Sequence, residues 1–366
     1  MARVLPFVLF AFGIWFWLKA RRSVSSLVGT ETELGLLPRD RQNAELAGPD
    51  AALERALAEA GAGRWEAAAE LLAWTGKERD WERRALYARV LGEAAARQDS
   101  WLRSWRAARP AGSPAADADA ELVQASATVA RAWLLRGSPY SDHTTPEQTD
   151  RFHELLPEVR ADTARAVELG PDDPTPYIVE IRTALGVGYG PERMRGLWAE
   201  ITARTPHPTS APLYGAHEAA VQYWSARWHG SAELAREFAA QATADAPLGT
   251  LMTAFPLIAW FDHHDAAATA RDYTDPGLTA LVDAALADAE QAPAEHPRLP
   301  EVRHLLAYFL TRQSRHDEAL DQFRLVDGYV HALPWRSRRD PAAFFTATRT
   351  KAIRGAEARS RIRRGV

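Results

Sequence analysis

Ala307-Tyr308-Phe309-Leu310-Thr311-Arg312-Gln313-Ser314-Arg315-His316-Asp317-Glu318-Ala319-Leu320-Asp321-Gln322-Phe323 sets two alanines twelve residues apart and an aromatic ring four residues after the second. The interval of four puts Ala319 and Phe323 on one helical face. Alanines let two helices approach within packing distance, and the large residue fills the space between neighbours. The stretch therefore reads as a pair of packed helices, Pro300–Thr311 and His316–Val326.

The same frame recurs near the start of the chain, with Ala56, Ala68 and Leu72 in those places and Trp65 opening the second helix. Gly61-Ala62-Gly63 supplies the permissive backbone of the turn between Ala51–Ala60 and Trp65–Trp74. Next, Trp81, Ala85, Ala88, Gly92 and Ala95 recur at spacings of four and three. They line a stripe of small residues on which another helix can pack closely. Helical segments continue over Ser100–Ala108, Asp117–Arg136, Pro146–Leu169, Thr175–Leu185, Pro191–Arg204 and Pro212–Ala226. They resume over Ser231–Ala244, Leu248–Phe261, Asp275–Glu290 and Asp340–Arg363. Several open on an N-cap or a first-turn proline, as at Thr145-Pro146-Glu147 and Asp340-Pro341. Alternating apolar and polar runs are nearly absent. The isolated strand-like stretch Tyr177-Ile178-Val179-Glu180-Ile181 reads as the start of a helix. The predicted fold class is all-α.

At 366 residues the chain is longer than one ordinary core grows, which suits an array that extends by stacking. Its hydrophobic content of 46% and charged content of 25% argue against disorder and against several membrane spans. The net charge of −4 conceals an asymmetry. Arg336–Val366 carries ten basic residues against Asp340 and Glu357, so the preceding 335 residues sum to −12. An acidic body speaks against nucleic acid as a partner, because neutralising phosphates requires clustered Lys and Arg. The absence of cysteine excludes disulfides, thiolate metal sites and cysteine nucleophiles.

Val4–Leu18 is an uncharged apolar run of fifteen residues. As a helix it covers roughly 22 Å, short of a ~30 Å hydrocarbon core unless Arg3 and Lys19 snorkel and the bilayer thins. Trp15 and Trp17 beside basic residues suit a membrane interface. Residues 1–22 are thus predicted to be a single-pass N-terminal membrane anchor, a transmembrane or membrane-anchor helix. Alternatives are a cleaved signal peptide with Ser23-Val24-Ser25 as its site, and a buried core helix. Lys19, Arg21 and Arg22 outnumber Arg3 and the terminal amine, which places the body on the cytoplasmic side by a margin of one charge. Residues 23–50 lack helical periodicity and contain Gly29, Gly35, Pro38, Gly48 and Pro49, so they read as a flexible tether. A helical body, 51–335, and a basic helix or tail, 336–366, complete the division.

The alanine and aromatic frame resembles degenerate tetratricopeptide (TPR-like) repeats. Ala166-Val167-Glu168-Leu169-Gly170-Pro171-Asp172-Asp173-Pro174 resembles the exit from one such repeat into the next. A weaker resemblance, at Trp228-His229-Gly230-Ser231 through Phe238-Ala239 with Ala246-Pro247 following, is similar to a signature in uncharacterised bacterial TPR-like families. The resemblance covers about a third of the chain. It implies an irregular α-solenoid of stacked helix pairs, and it implies no activity.

Phe261-Asp262-His263-His264-Asp265 is the strongest chemical candidate. An adjacent His-Asp can supply two ligands to a divalent metal, as in HD-type phosphohydrolases, with His263, His264 and Asp265 as the ligands here. The competing reading is a polar helix end with imidazoles near the last carbonyls. Glu301-Val302-Arg303-His304 has the spacing of di-iron bundles but lacks the second motif such sites need. Gly186-Val187-Gly188-Tyr189-Gly190 follows a helix and reads as an interhelix turn rather than a phosphate loop. Common nucleotide-binding and hydrolase signatures are absent, and no cofactor is expected.

Two pairs of tryptophans, Trp101 with Trp105 and Trp224 with Trp228, are spaced by four and share a helical face. They are candidates for a partner surface in a concave groove, against the alternative of packing between repeats. In the tail, Arg359, Arg361, Arg363 and Arg364 are candidate lipid contacts, against the alternatives of a solvated end or one docked on the acidic body. The function expected is a membrane-tethered, non-enzymatic scaffold for a protein partner. The alternative is a metal-dependent hydrolase built on His263, His264 and Asp265.

Overall fold

The computed structural model describes residues 34–108, 114–136, 145–205, 211–244 and 246–364. Among them the protein is all-α, with no strand and one isolated bridge between Asn43 and Tyr329. The apolar run Val4–Leu18 lies outside the described residues, and among these no helix is long and apolar enough to cross a membrane.

The body opens with α1 (Ala51–Gly61), α2 (Glu66–Glu78), α3 (Trp81–Arg97) and α4 (Ser100–Ala107). It continues with α5 (Pro114–Arg136), α6 (Pro146–Leu169), α7 (Thr175–Val187), α8 (Pro191–Arg204) and α9 (Tyr214–Tyr223). After these come α10 (Ala232–Ala244), α11 (Ala254–His264), α12 (Ala270–Tyr273) and α13 (Pro276–Gln291). The last are α14 (Leu299–Arg312), α15 (His316–Leu325) and, beyond a 3-10 turn at Trp335–Ser337, α16 (Pro341–Arg363). Side-chain caps set several starts: Asp50 accepts from the Leu53 amide, Asp80 from Arg83, and Thr145 forms a capping box with Gln148. Helix α11 begins six residues later than its periodicity predicts. Gly249 and Leu251 are left-handed, at φ +87° and 66°. Buried Asp288 of α13 holds the preceding turn by accepting from the Gly249 amide at 2.5 Å and the Thr253 hydroxyl at 2.6 Å.

Most sequential helices pack on one another, and alternate helices also touch: α3 with α5, α5 with α7, α7 with α9, α9 with α11, and α11 with α13. The small-residue stripe on α3 explains the closest of these approaches. A Cβ on Gly92 would lie 2.7 Å from the Ser126 carbonyl carbon of α5, closer than any real contact. Gly92→Val is therefore expected to force α3 and α5 apart and destabilise the protein by about 1–3 kcal/mol. A melting temperature unchanged from wild type would refute that close approach.

Two boundaries differ from the sequence reading. The described part of the predicted tether is packed: Leu36 and Leu46 are buried, the Asn43 amide donates to Gly328 at 2.7 Å, and the Val330 amide donates to Asn43 at 2.8 Å. Glycine and proline there shape a fitted extended segment rather than a free one. Nor is 336–366 a separate tail. Trp335, Phe345 and Ala352 share one apolar core with Leu305, Phe309 and Phe323. Arg349 of α16 is 0% exposed and bonds Asp327 and the Leu37 carbonyl, so the segment before α1 and the last helix are clasped together.

Candidate functional site

The alternate helices that touch one another also enclose a cavity of about 500 Å³. From α3, Ala85, Arg89, Glu93 and Arg97 fall on one stripe at intervals of four. From α5 come Ser126, Val129, Ala130, Trp133 and Leu134, and from α7 come Thr175, Ile178, Val179, Arg182 and Leu185. Glu218 and Gln222 of α9, Asp262 of α11, Arg298, His331 and Arg336 close the opposite side. Arg227 and Trp228 enter from the tight turn after α9, where the Ser231 amide donates to Trp224 at 3.1 Å. Gly230 makes that turn possible, since a Cβ there would collide with the Trp224 backbone. Trp228 meets Trp133 edge to face at 5.2 Å, and the Arg136 guanidinium lies 4.8 Å from the Trp228 ring. One wall is thus apolar and aromatic and the other ionic.

The ionic wall is a linked network. Arg298 reaches Glu82 at 2.6 Å and Glu301 at 3.0 Å, and Arg89 reaches Glu93 at 3.0 Å and Glu301 at 3.3 Å. Gly215 leaves room for the Arg298 guanidinium, which would lie 2.7 Å from any Cβ there. Glu218 binds Arg336 at 2.6 Å, with Arg182 at 3.5 Å and Arg298 at 3.9 Å. Burial raises the cost of charge on Glu218, but Arg336, Arg182 and Arg298 outweigh it and hold its carboxyl well below the usual range. Arg182 is in the opposite position. Burial, with repulsion from Arg89 and Arg298, pushes it down to about 10 despite Glu218. Burial also pushes Asp262 up to about 6. Of the nine buried side-chain polar atoms without a hydrogen-bond partner among the described residues, four sit on cavity-lining residues: Arg89, Ser126, Thr175 and Arg298.

The residues singled out from sequence lie elsewhere, except Trp228 and, within the Phe261–Asp265 motif, Asp262. Asp265 accepts from the Tyr273 and Tyr308 hydroxyls, each at 2.5 Å, and from Arg338 at 2.7 Å, so its oxygens are engaged in packing α11 against α12, α14 and the segment before α16. His264 stacks on Trp260 with Nδ1 3.2 Å from that residue's carbonyl, the arrangement of a polar helix end. Among the described residues no group of three His, Asp or Glu side chains is arranged to hold a metal, so His263, His264 and Asp265 do not form the ligand set considered above. Trp101 and Trp105 are 1% and 3% exposed and stack on each other in the core, with Trp65 against Trp105, which removes them from any partner surface. Trp224 packs edge-on against Tyr223, and Trp228 alone of the four lines the cavity. Arg359, Arg361, Arg363 and Arg364 are exposed on α16 and its end, with Arg359 bonded to the Ser314 carbonyl and Arg361 3.8 Å from Glu357. Gly188, at φ +72°, caps α7 in the interhelix turn.

Glu301 and His304 are likewise committed to structure. Glu301 takes Arg89 and Arg298, while His304 Nε2 lies 2.8 Å from the Ala47 carbonyl and its Nδ1 accepts from Trp335 Nε1 at 2.9 Å. These partners require a neutral ring with the proton on Nε2. Burial, opposed by the Ala47 bond, pushes the ring's pKa down to about 4 from 6.5. Between these values the unfolded chain binds the extra proton, so stability falls as pH drops through this window. The loss attributable to His304 between pH 7 and pH 5 is about 2 kcal/mol. Urea unfolding at both pH values should show it in wild type and show about 2 kcal/mol less pH dependence in His304→Asn. Equal losses in the two proteins would remove His304 as the cause.

The cavity network left little trace in the sequence, because Arg89, Arg182, Glu218, Arg298 and Arg336 are far apart in the chain. The readable sign was a charge within an otherwise apolar helical face, such as Arg182 between Ile178 and Leu185. Comparison of the chain with protein-family models, curated proteins and solved structures finds no match in any of the three.

Proposed function

We propose that this chain is a non-catalytic binding protein, a TPR-like solenoid of helix pairs whose inner helices form a receptor cavity, tethered to a membrane through Val4–Leu18. The observation that carries the reading is the cavity itself. It is lined by α3, α5, α7, α9 and α11, every second helix, as in a stack of pairs whose first members face inward. A volume near 500 Å³ with an apolar wall and a few fixed polar groups suits a small ligand. The scaffold role expected from sequence becomes that of a receptor, with recognition inside the coil rather than on an open tryptophan face. Exposed Arg359, Arg361, Arg363 and Arg364 are the residues that would meet anionic lipid. A hydrolase at His263, His264 and Asp265 is disfavoured by the engagement of Asp265 with two tyrosines and an arginine.

The test is a thermal-shift screen of the full chain against apolar compounds that are anionic, neutral or cationic, alongside Ala130→Trp, which fills the cavity from α5. A ligand at a hundred times its Kd stabilises by about 2.7 kcal/mol. Compounds that raise the melting temperature of wild type and not of Ala130→Trp support the reading. A screen in which no compound acts, or in which Ala130→Trp responds like wild type, overturns it.

A further inference from the structure

The geometry points to a monocarboxylate with an apolar body as the cavity's ligand, its carboxylate on Arg182 and its body along Val129, Ala130, Trp133, Ile178 and Leu185. The assignment rests on the reading of the cavity as a receptor and adds the ligand class. Helix periodicity places Ile178, Arg182 and Leu185 on one face of α7, so a guanidinium emerges from the middle of the apolar wall. Four of the five other arginines on the lining are held by carboxylates at short range. Arg298, Arg336, Arg97 and Arg89 have carboxylates at 2.6, 2.6, 2.8 and 3.0 Å, whereas the carboxylate nearest Arg182 is Glu218 at 3.5 Å. Glu218 in turn gives its shortest contact to Arg336. Arg182 keeps 23% of its side chain accessible, close to the 20% of Arg336 and between the 50% of Arg97 and the 8% of Arg89. A guanidinium whose nearest carboxylate stands at 3.5 Å has room for a closer acceptor, and its planar fork matches a carboxylate.

The same walls set the charge and the shape of the guest. Glu218 lies 3.5 Å from Arg182 and is held ionised, so a second negative charge placed on Arg182 would meet that carboxylate at close range. One charge is matched and two are repelled. A neutral head group forgoes the ion pair, and a compact inorganic anion leaves the apolar wall uncovered. Each methylene laid on that wall is expected to tighten binding about threefold to fourfold until the wall is filled.

The experiment is calorimetric titration of the full chain in lipid nanodiscs, with empty nanodiscs as the blank, using hexanoate, octanoate, octanol and octyl phosphate. Octanoate should bind one to one and more tightly than hexanoate, with octanol and dianionic octyl phosphate at least tenfold weaker than octanoate. Arg182→Gln should weaken octanoate at least tenfold while leaving octanol unchanged. Arg182→Lys, which keeps the charge and loses the fork, should fall between and serves if the glutamine variant does not fold. Octanoate binding Arg182→Gln within threefold of wild type overturns the assignment, as does octyl phosphate binding more tightly than octanoate. If octanol matches octanoate and Ala130→Trp abolishes both, the receptor stands and the carboxylate assignment is wrong. If none of the four binds wild type, the carboxylate assignment falls, and the thermal-shift screen decides the receptor separately.

Discussion

Asp327→Ala is expected to destabilise the full chain by about 3–5 kcal/mol, a large effect for a residue in the turn after α15. The reason is the company it keeps. One carboxylate oxygen takes the Arg349 guanidinium and the Gln42 amide at 3.3 Å, and the other takes the Leu37 amide at 2.6 Å. Arg349 sends its second nitrogen to the Leu37 carbonyl at 2.8 Å, and Gln42 Nε2 donates to the same carbonyl at 3.0 Å. Removing the carboxylate takes a close counter-charge from a fully buried guanidinium and the acceptor from the Leu37 amide, and breaking a buried pair from one side is costly.

Two measurements separate this account from a general loss of packing. Pairing Asp327→Leu with Arg349→Met removes both charges, so the double variant should recover much of the stability lost by Asp327→Ala. Trypsin should cut Asp327→Ala faster at Arg39 and Arg41, because the clasp holds the segment that carries them. A melting temperature within about 2 °C of wild type, with cleavage unchanged, would mean that the clasp does not form in solution.

How much of this was legible follows from the range of the interactions. Periodicity and capping are local, so α1, α6, α14 and α16 lie within a residue or two of their predicted bounds, and the Gly92 stripe on α3 is where α5 packs closely. The first three of these helices meet their chain neighbours through alanine and large apolar residues whose spacing is written in the sequence. Residues 34–50 were misread because glycine and proline mark irregular backbone without saying whether it is free or fitted. Its fit depends on Gly328, Tyr329 and Arg349, nearly 300 residues away. Trp101 and Trp105 were ambiguous for a related reason: spacing puts them on one face, but only the return of Trp65 covers it. The receptor wall was the least legible part. Arg182 and Glu218 lie on helices of ordinary composition, and their meaning arises when α7 and α9 bring them to 3.5 Å, with Arg298 3.9 Å from Glu218.

The largest packing effect is expected at Phe323, where truncation to alanine should cost about 3–5 kcal/mol. Phe323 is 0% exposed on α15, with its ring 6.0 Å from Trp335 and 5.2 Å edge to face from Phe345. It stands where the repeat frame places the residue that fills the space beyond a helix pair, and the fillers opposite it come from the 3-10 turn and α16. Deleting the ring therefore opens a void between three elements, and none can close it without moving Trp335 from its bond to His304. Phe323→Leu keeps most of the volume and should cost less than half as much, which distinguishes a cavity from lost ring geometry. Ala319→Trp, one turn earlier and also 0% exposed, tests the same interface from the opposite side by overpacking, at about 1–3 kcal/mol. Near-ultraviolet circular dichroism should lose intensity in Phe323→Ala, since Trp335 sits in that aromatic cluster. Melts and spectra unchanged in both Phe323→Ala and Ala319→Trp would show that α14 and α15 do not pack against α16 as a repeat and its cap.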